Sequence, residues 1–455
     1  MRLNGEQVTE KRLRNGYTTG TCAAAAAKAA AAFFARATSQ SLCLHETLAT
    51  AATTMGNSQS EFPIGALYIE EAPVARPKTA QADEEKITYS ELTLPGGGNC
   101  RIPVIPFLKE GEPFCFGVQK DSGDDPDVTN QTLILASVKP ISRKKLDTLK
   151  STGSGYFLEE YPDLYLNGGP GIGIVTKPGL SCPVGHYAIN PVPRSMVLGA
   201  VDEVMRQTAY EECLLIEISI PDGERLASQT FNPKLGIQGG ISVLGTTGIV
   251  KPMSEEALLE TIRLEIHMKA VNGAKVLLMA PGNYGEEFLK KTLDVPVGNA
   301  VLCSNFVKSA VLMAQEEGFQ NVLFVGHIGK LIKVSAGREN THSKYGDGRM
   351  EQMAQLTETL EYLELKQQIL SCNTTDDALE LLKQHGIAKK LLNLTAEYVK
   401  RQLEQWSEGK ICAEVVTFST AHQMFGTTTD WKRLFETWKR ERSEETDRCF
   451  GTGLF

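Results

Sequence analysis

Few side chains in this sequence are placed to do chemistry, and the densest group runs from His327 to Arg349. His327 and His342 are the candidate catalytic residues, as acid–base or orienting groups, because an imidazole exchanges its proton near neutral pH. Around them stand Lys330, Lys333, Arg338, Lys344 and Arg349, opposed by Glu339 and Asp347, which makes a local basic patch in a chain of net charge −8. Such a patch faces something negative. The histidines lack the H-x-x-x-H spacing of a metal pair, so no protein-bound metal site is expected. No Ser-His-Asp or Cys-His arrangement stands out, and a covalent mechanism has no evident nucleophile.

Two further groups suit carboxylates. Gly16-Tyr17-Thr18-Thr19-Gly20-Thr21 runs into an alanine-rich stretch; with Thr19 or Thr21 as N-cap, the free N–H groups and hydroxyls would make an anion corner, or a plain capped helix start. Lys177, Asn190 and Arg194 follow a glycine bend at Gly168–Gly173. The two cations are either carboxylate anchors or solvated surface charges. The bend is no dinucleotide fingerprint, because a strand and not a helix follows it; it lets a ligand approach the backbone or is a β-bulge. Four aspartates between Asp121 and Asp127 miss the EF-hand spacing, Thr132 standing where its glutamate would be, and read as a turn capping its own backbone.

The elements that must position these groups are organised around Leu235–Ala257. Ile241–Leu244 reads as a strand, Gly245-Thr246-Thr247-Gly248 as a flexible loop, and Ser254 as the start of a helix. From there the pattern alternates: helix 254–272, strand 275–279, loop Pro281-Gly282-Asn283-Tyr284-Gly285, helix 286–292, strand 300–303, helix 306–317, strand 321–325, loop Gly326 to Lys330, helices to 407, a strand at 412–418 and a charged tail. This alternation predicts a mostly parallel sheet. Three glycine loops at strand ends would line one crevice for a small ligand. None has the Walker A spacing, which disfavours ATP or GTP.

The expected fold class is therefore α/β in two domains. Residues 1–235 form an α+β domain with an insertion at about 45–86, and 236–455 form a Rossmann-like sheet flanked by helices. A chain of 455 residues holds roughly two to three domains. Its acidic balance argues against nucleic-acid binding. The alanine run carries Lys28, is too short for a membrane span and reads as a helix. Ten cysteines without C-x-x-C pairing or a secretory signal point to reduced thiols in the cytoplasm.

Taken together, GYTTGTCAAAAAKAA at 16–30, DSGDDPDVTN at 121–130, GGPGIGIVTKPGL at 168–180, AINPVPR at 188–194, GGISVLGTTGIVKPMSEEA at 239–257, PGNYGEEF at 281–288, GHIGKLIKVSAG at 326–337 and NTHSKYGDGRME at 340–351 resemble the cobalt-precorrin-5B C1-methyltransferase family of anaerobic cobalamin biosynthesis. The resemblance implies methyl transfer from S-adenosylmethionine to C-1 of cobalt-precorrin-5B, giving cobalt-precorrin-6A. Cobalt would arrive inside the macrocycle, and the product could be handed to other enzymes of the pathway. On this reading the methyl donor falls to Gly245, Thr246, Thr247, Gly248, Pro281, Gly282, Asn283, Tyr284, Gly285, Gly326 and Gly329. The carboxylate-rich macrocycle falls to Thr18, Thr19, Gly20, Thr21, Lys177, Asn190, Arg194, Lys330 and Lys344. The usual methyltransferase glycine signature is missing. A non-catalytic corrinoid carrier is the alternative, and a nucleotide-dependent enzyme a third reading.

Overall fold

The computed structural model describes residues 13–50, 67–70, 87–107 and 114–451. Most of the expected insertion at 45–86 lies outside them. The chain divides into two compact units, Met1–Met253 and Ser254–Phe455. The division falls after the expected 235–236 because the intervening segment is stitched into the first unit: Ile237 pairs with Val175, Gly240 with Gly171, and Ile249 with Tyr17.

In the first unit, β1 (Gly16–Tyr17) leads into α1 (Thr19–Thr50), followed by β2 (Leu67–Glu70), β3 (Ile87–Thr93), β4 (Asn99–Pro106), β5 (Phe114–Gln119), β6 (Leu133–Ile141), α2 (Arg143–Thr152) and β7 (Leu164–Gly168). After the short strands β8 (Gly171–Ile172) and β9 (Ile174–Val175) come α3 (Pro191–Thr208), β10 (Cys213–Ser219), α4 (Gly223–Ala227), β11 (Ile237–Gln238), β12 (Gly240–Ile241) and β13 (Ile249–Val250). The large sheet has the order β2-β3-β4-β5-β6-β10-β7, antiparallel except where β10 meets β7. Alanine has the strongest helix propensity and the least bulk, so α1 can lie closely between β5, β6 and α3. Cys22 to Ala27, Ala29 and Ala30 are fully buried. Lys28 is buried as well, its ammonium donating to Glu203 at 2.8 Å and to the Glu91 carbonyl at 2.9 Å.

The second unit contains α5 (Glu255–Val271), β14 (Val276–Ala280), α6 (Asn283–Leu293), β15 (Val301–Leu302), α7 (Val307–Glu316), β16 (Asn321–His327) and α8 (Ile328–Ser335), then α9 (Arg349–Thr359), α10 (Lys366–Leu370), α11 (Thr375–Gln384), α12 (Ala388–Trp406), β17 (Cys412–Ser419), β18 (Met424–Thr427) and α13 (Trp431–Gly451). Its sheet has the order β15-β14-β16-β17-β18, parallel except for β18. Alternate residues of each strand feed two cores. Leu277, Val322 and Val415 pack with α5, α7 and α12, and Leu278, Leu323 and Val416 pack with α6 and α13. Two stretches expected to be irregular are helical. Asn283 to Gly285 form the first turn of α6, and Ile328 onwards forms α8. The expected tail is α13, docked by Trp431, Phe435 and Trp438.

Glu414 on β17 is 3% exposed. It accepts from Lys400 of α12 at 2.6 Å, from the Thr428 hydroxyl, and from the Asp430 N–H at 3.1 Å just before α13. Replacing it with Gln keeps the shape and removes the charge that three donors converge on. Glu414→Gln is expected to lower stability by about 2 kcal/mol; a urea midpoint equal to wild type would count against this. Among the described residues no helix is long and apolar enough to cross a membrane.

Candidate functional site

The order β15-β14-β16-β17 reverses direction between β14 and β16, since the chain leaves β14 for one side and returns to the other. In open parallel sheets ligands dock at the carboxyl ends of the strands beside such a reversal. Here those ends carry Pro281–Gly285, Ser304 and Gly326–Lys330, so two of the three expected glycine loops are neighbours. A side chain on Gly326 would lie 2.9 Å from the Pro281 ring, and one on Gly285 2.9 Å from the Val325 carbonyl. These glycines let α6 and the two loops close on the strand ends. Gly282 has φ +108, and a Cβ there would stand 3.3 Å from the Lys330 ammonium.

Lys330 spans the three strand ends, donating to the Ser304 carbonyl at 3.3 Å. Its partial burial pushes the ammonium below its ordinary value. His327 ends β16 and caps α8, its Nδ1 accepting the Gly329 N–H at 3.1 Å. The ring meets Phe418 edge-on at 5.5 Å and tilts toward Tyr284 at 5.9 Å, and the Tyr284 side is open, that residue being 66% exposed. Burial lowers the His327 pKa, and the Asp376 carboxylate partly opposes this.

Asp376, Ser419 and His422 went unread in the sequence. The Ser419 hydroxyl donates to Asp376 Oδ1 at 2.9 Å, and His422 Nε2 donates to the Asp376 carbonyl at 2.9 Å. Their signals were present: Thr374 and Asp377 make a capping box that starts α11, and Ser419 closes the buried strand β17. What the sequence lacked was the pairing of β16 with β17, which brings Phe418 opposite His327.

The basic patch is largely spent on the chain itself. Lys333 is buried against the carbonyls of Thr341 and Gly346, each at 3.4 Å, Arg338 donates to the Tyr345 carbonyl, Lys344 pairs with Glu255, and Arg349 with Asp347. His342 is exposed, and its Nδ1 accepts the Lys344 N–H at 3.1 Å to cap a short 3-10 turn. The structure joins His342 to that turn and not to His327.

The third glycine loop lies in the first unit, clamped on the start of α1. The Gly20 N–H donates to the Leu244 carbonyl at 3.0 Å, and the Thr18 N–H and Thr21 hydroxyl both donate to the Gly248 carbonyl. Thr18, and neither Thr19 nor Thr21, supplies the cap, its hydroxyl accepting from the Thr21 N–H at 3.2 Å. A Cβ at Gly245 would fall 2.3 Å from the Thr18 hydroxyl oxygen. Much of the expected carboxylate corner is thus filled by the chain's own carbonyls, although Thr246 and Thr247 are exposed at the loop tip. Arg194 is similarly engaged. It stacks on Tyr156 with 3.5 Å to the ring centroid, donates from Nε to the Ile189 carbonyl at 2.5 Å, and reaches Cys182 Sγ at 3.1 Å. Asn190 is the N-cap position of α3 and accepts from Cys182. Lys177 is half-buried, packed where a Cβ of Gly236 would be. The Asp-rich turn caps itself as expected, Asp121 accepting from the Gly123 N–H and Asp127 from the Thr129 N–H.

The capping role of His327 has a pH consequence. An unfolded histidine titrates near 6.5, and the folded value lies below that. The stabilisation is therefore complete above the unfolded value and disappears as pH falls through the folded one. His327→Asn retains an N-cap acceptor that does not titrate. Between about pH 7.5 and 5, wild type is expected to lose urea resistance relative to His327→Asn, and a constant difference across that range would refute the assignment.

The family model described as CbiD matches residues 6–76 and 74–252, and the one described as CbiD, C-terminal domain matches 340–429. The chain is 35% identical over 410 residues to a protein of Ruminiclostridium cellulolyticum named cobalt-precorrin-5B C(1)-methyltransferase, covering 90% of each chain. Proteins of the same name from Listeria monocytogenes and Photorhabdus laumondii are 35% and 32% identical, over 94% and 96% of this chain and 98% of each relative. A crystal structure of the cobalamin biosynthesis protein (cbiD) from Archaeoglobus fulgidus is 21% identical, covers 74% of this chain and 84% of that chain, and superposes with a TM-score of 0.33. With one family model spanning most of the first unit and relatives matching along nearly the whole length, the chain belongs to the CbiD family.

Proposed function

We propose that this chain transfers the methyl group of S-adenosylmethionine to C-1 of cobalt-precorrin-5B, giving cobalt-precorrin-6A in anaerobic cobalamin biosynthesis. The observation that carries the reading is 35% identity over 90% of the chain to a protein named for that methyl transfer. We read the sheet of the second unit as Rossmann-like, and its edge at β14 and β16 as the methyl-donor site, a reading supported by the reversal of strand order there. Gly282 offers open backbone, Tyr284 an exposed ring, and Lys330 a cation for a carboxylate. When bound, the donor supplies an electrophilic methyl on a sulfonium. The chain's task is then to align two reactants and exclude water, for which no strong nucleophile is required.

The test is incubation of the protein with S-adenosylmethionine labelled in its methyl group and purified cobalt-precorrin-5B, followed by location of the label. Label at C-1 is expected. Unlabelled macrocycle that nevertheless co-purifies with the protein would replace this reading with that of a carrier.

A further inference from the structure

We propose that His327 holds the adenosyl group of the methyl donor as a neutral imidazole, giving its Nε2–H to an acceptor on the nucleoside while Tyr284 lies against the purine, and takes up no proton in the reaction. The inference rests on the reading of the β14–β16 edge as the donor site, and it turns on which ring nitrogen is free.

Nδ1 accepts the Gly329 N–H at 3.1 Å. A ring nitrogen that accepts carries no hydrogen, so the neutral ring has its proton on Nε2. Protonating the ring would set an Nδ1–H against the Gly329 N–H and undo the cap on α8. Among the described residues Nε2 has no partner, whereas Nε2 of His422 is engaged by the Asp376 carbonyl. His327 therefore offers a hydrogen-bond donor and no lone pair, which suits it to recognition and not to removing a proton.

Its surroundings narrow the ligand class. Phe418 fixes the ring from one side, and Tyr284, 66% exposed, presents an aromatic face beside it. An exposed aromatic ring next to a fixed N–H donor matches a flat heterocycle bearing acceptor atoms. A purine nucleoside has both, its ring nitrogens and ribose hydroxyls serving as acceptors. Lys330, on the first turn of α8 and beside Gly282, leaves a cation for the amino-acid end of the same molecule.

Two substitutions separate the cap from the ligand contact. His327→Asn keeps an acceptor for the Gly329 N–H and loses the Nε2–H; Tyr284→Ala removes the aromatic face. With S-adenosylhomocysteine as calorimetric probe, each is expected to bind about tenfold more weakly than wild type, with melting temperatures within about 4 °C of it. Nitrogen-15 correlation spectra of histidine-labelled protein, with the His327 signal assigned by its loss in His327→Asn, are expected to show the Nε2–H tautomer at neutral pH. An Nδ1–H tautomer or an imidazolium at that pH overturns the proposal, as does undiminished binding by His327→Asn. Failure of wild type itself to bind the probe, alone or with the macrocycle, removes the donor-site reading and this proposal with it.

Discussion

Gly171→Ala is expected to cost the first unit more than about 4 kcal/mol or to prevent its folding. Gly171 has φ +78, a left-handed conformation that L side chains seldom adopt, and an added Cβ would fall 1.9 Å from the Ile220 carbonyl oxygen. No flexible side-chain end is available to yield, because the obstacle is backbone. Three segments cross at this point. Gly171 pairs with Gly240 in the β8–β12 ladder, and Cβ atoms on Gly223 and Gly240 would each lie within 2.2 Å of the Gly171 carbonyl oxygen. Moving any one segment displaces the other two. Gly185→Ala is the control: its φ is +83, but nothing lies within 4 Å of an added Cβ, so only the backbone preference is lost, about 1 kcal/mol. Urea denaturation distinguishes the cases, and a Gly171→Ala protein within about 1 kcal/mol of wild type would show that the crossing relaxes.

The same crossing shows what the sequence could and could not say. The cluster at Gly168–Gly173 announces a close approach to backbone, but a glycine carries no mark of what approaches it. A ligand was one reading and a bulge another, and the visitor is the chain itself, arriving from Ile220 and Gly240. Gly245 repeats the lesson, since a Cβ there would meet the Thr18 side chain. Local signals were more dependable. Alanine bulk and propensity specify α1, Ser254 starts α5 by accepting from the Ala257 N–H, and the PGGG turn joins β3 to β4 in register.

Several signals were legible and misweighted. Trp431, Phe435 and Trp438 recur at i, i+4 and i+7, the stripe of a docked helix, though the surrounding charge reads as a tail. Pro191 stands at the first helical position of α3, as proline's fixed φ favours. The start of α8 was harder, because its cap is His327 and not one of the usual Ser, Thr, Asp or Asn. The basic patch misled for a different reason. Net charge can be counted from sequence, and Asp347 two residues before Arg349 is visible there, but the carbonyls and the Glu255 carboxylate that occupy Lys333, Arg338 and Lys344 are brought to them by the fold.

Lys330→Met is expected to raise the KM for S-adenosylmethionine by about 10- to 100-fold while leaving the KM for the macrocycle near its wild-type value. Of the cations between Lys330 and Arg349, this one stands at the strand ends, beside Gly282 and against the Ser304 carbonyl. The neighbouring Cys303 gives it no counter-charge, because burial pushes that thiol up to about 12 and keeps it protonated near neutrality. Among the described residues this half-buried ammonium is satisfied by the Ser304 carbonyl, so it gains from a carboxylate, and a charge-assisted bond of that kind contributes about 1.5–3 kcal/mol. Methionine preserves the length of the stem and its packing, so the fold should tolerate the change. If Lys330 meets the non-reacting end of the donor, as proposed above, the contact should act equally on ground and transition states, raising KM with little change in kcat. Fluorescence-monitored unfolding of Lys330→Met at wild-type midpoint, combined with a donor KM that does not move, would leave Lys330 as a strand-end tether for Ser304. A rise in the macrocycle's KM instead would transfer the residue to the other reactant, as its place in a basic stretch of sequence first implied.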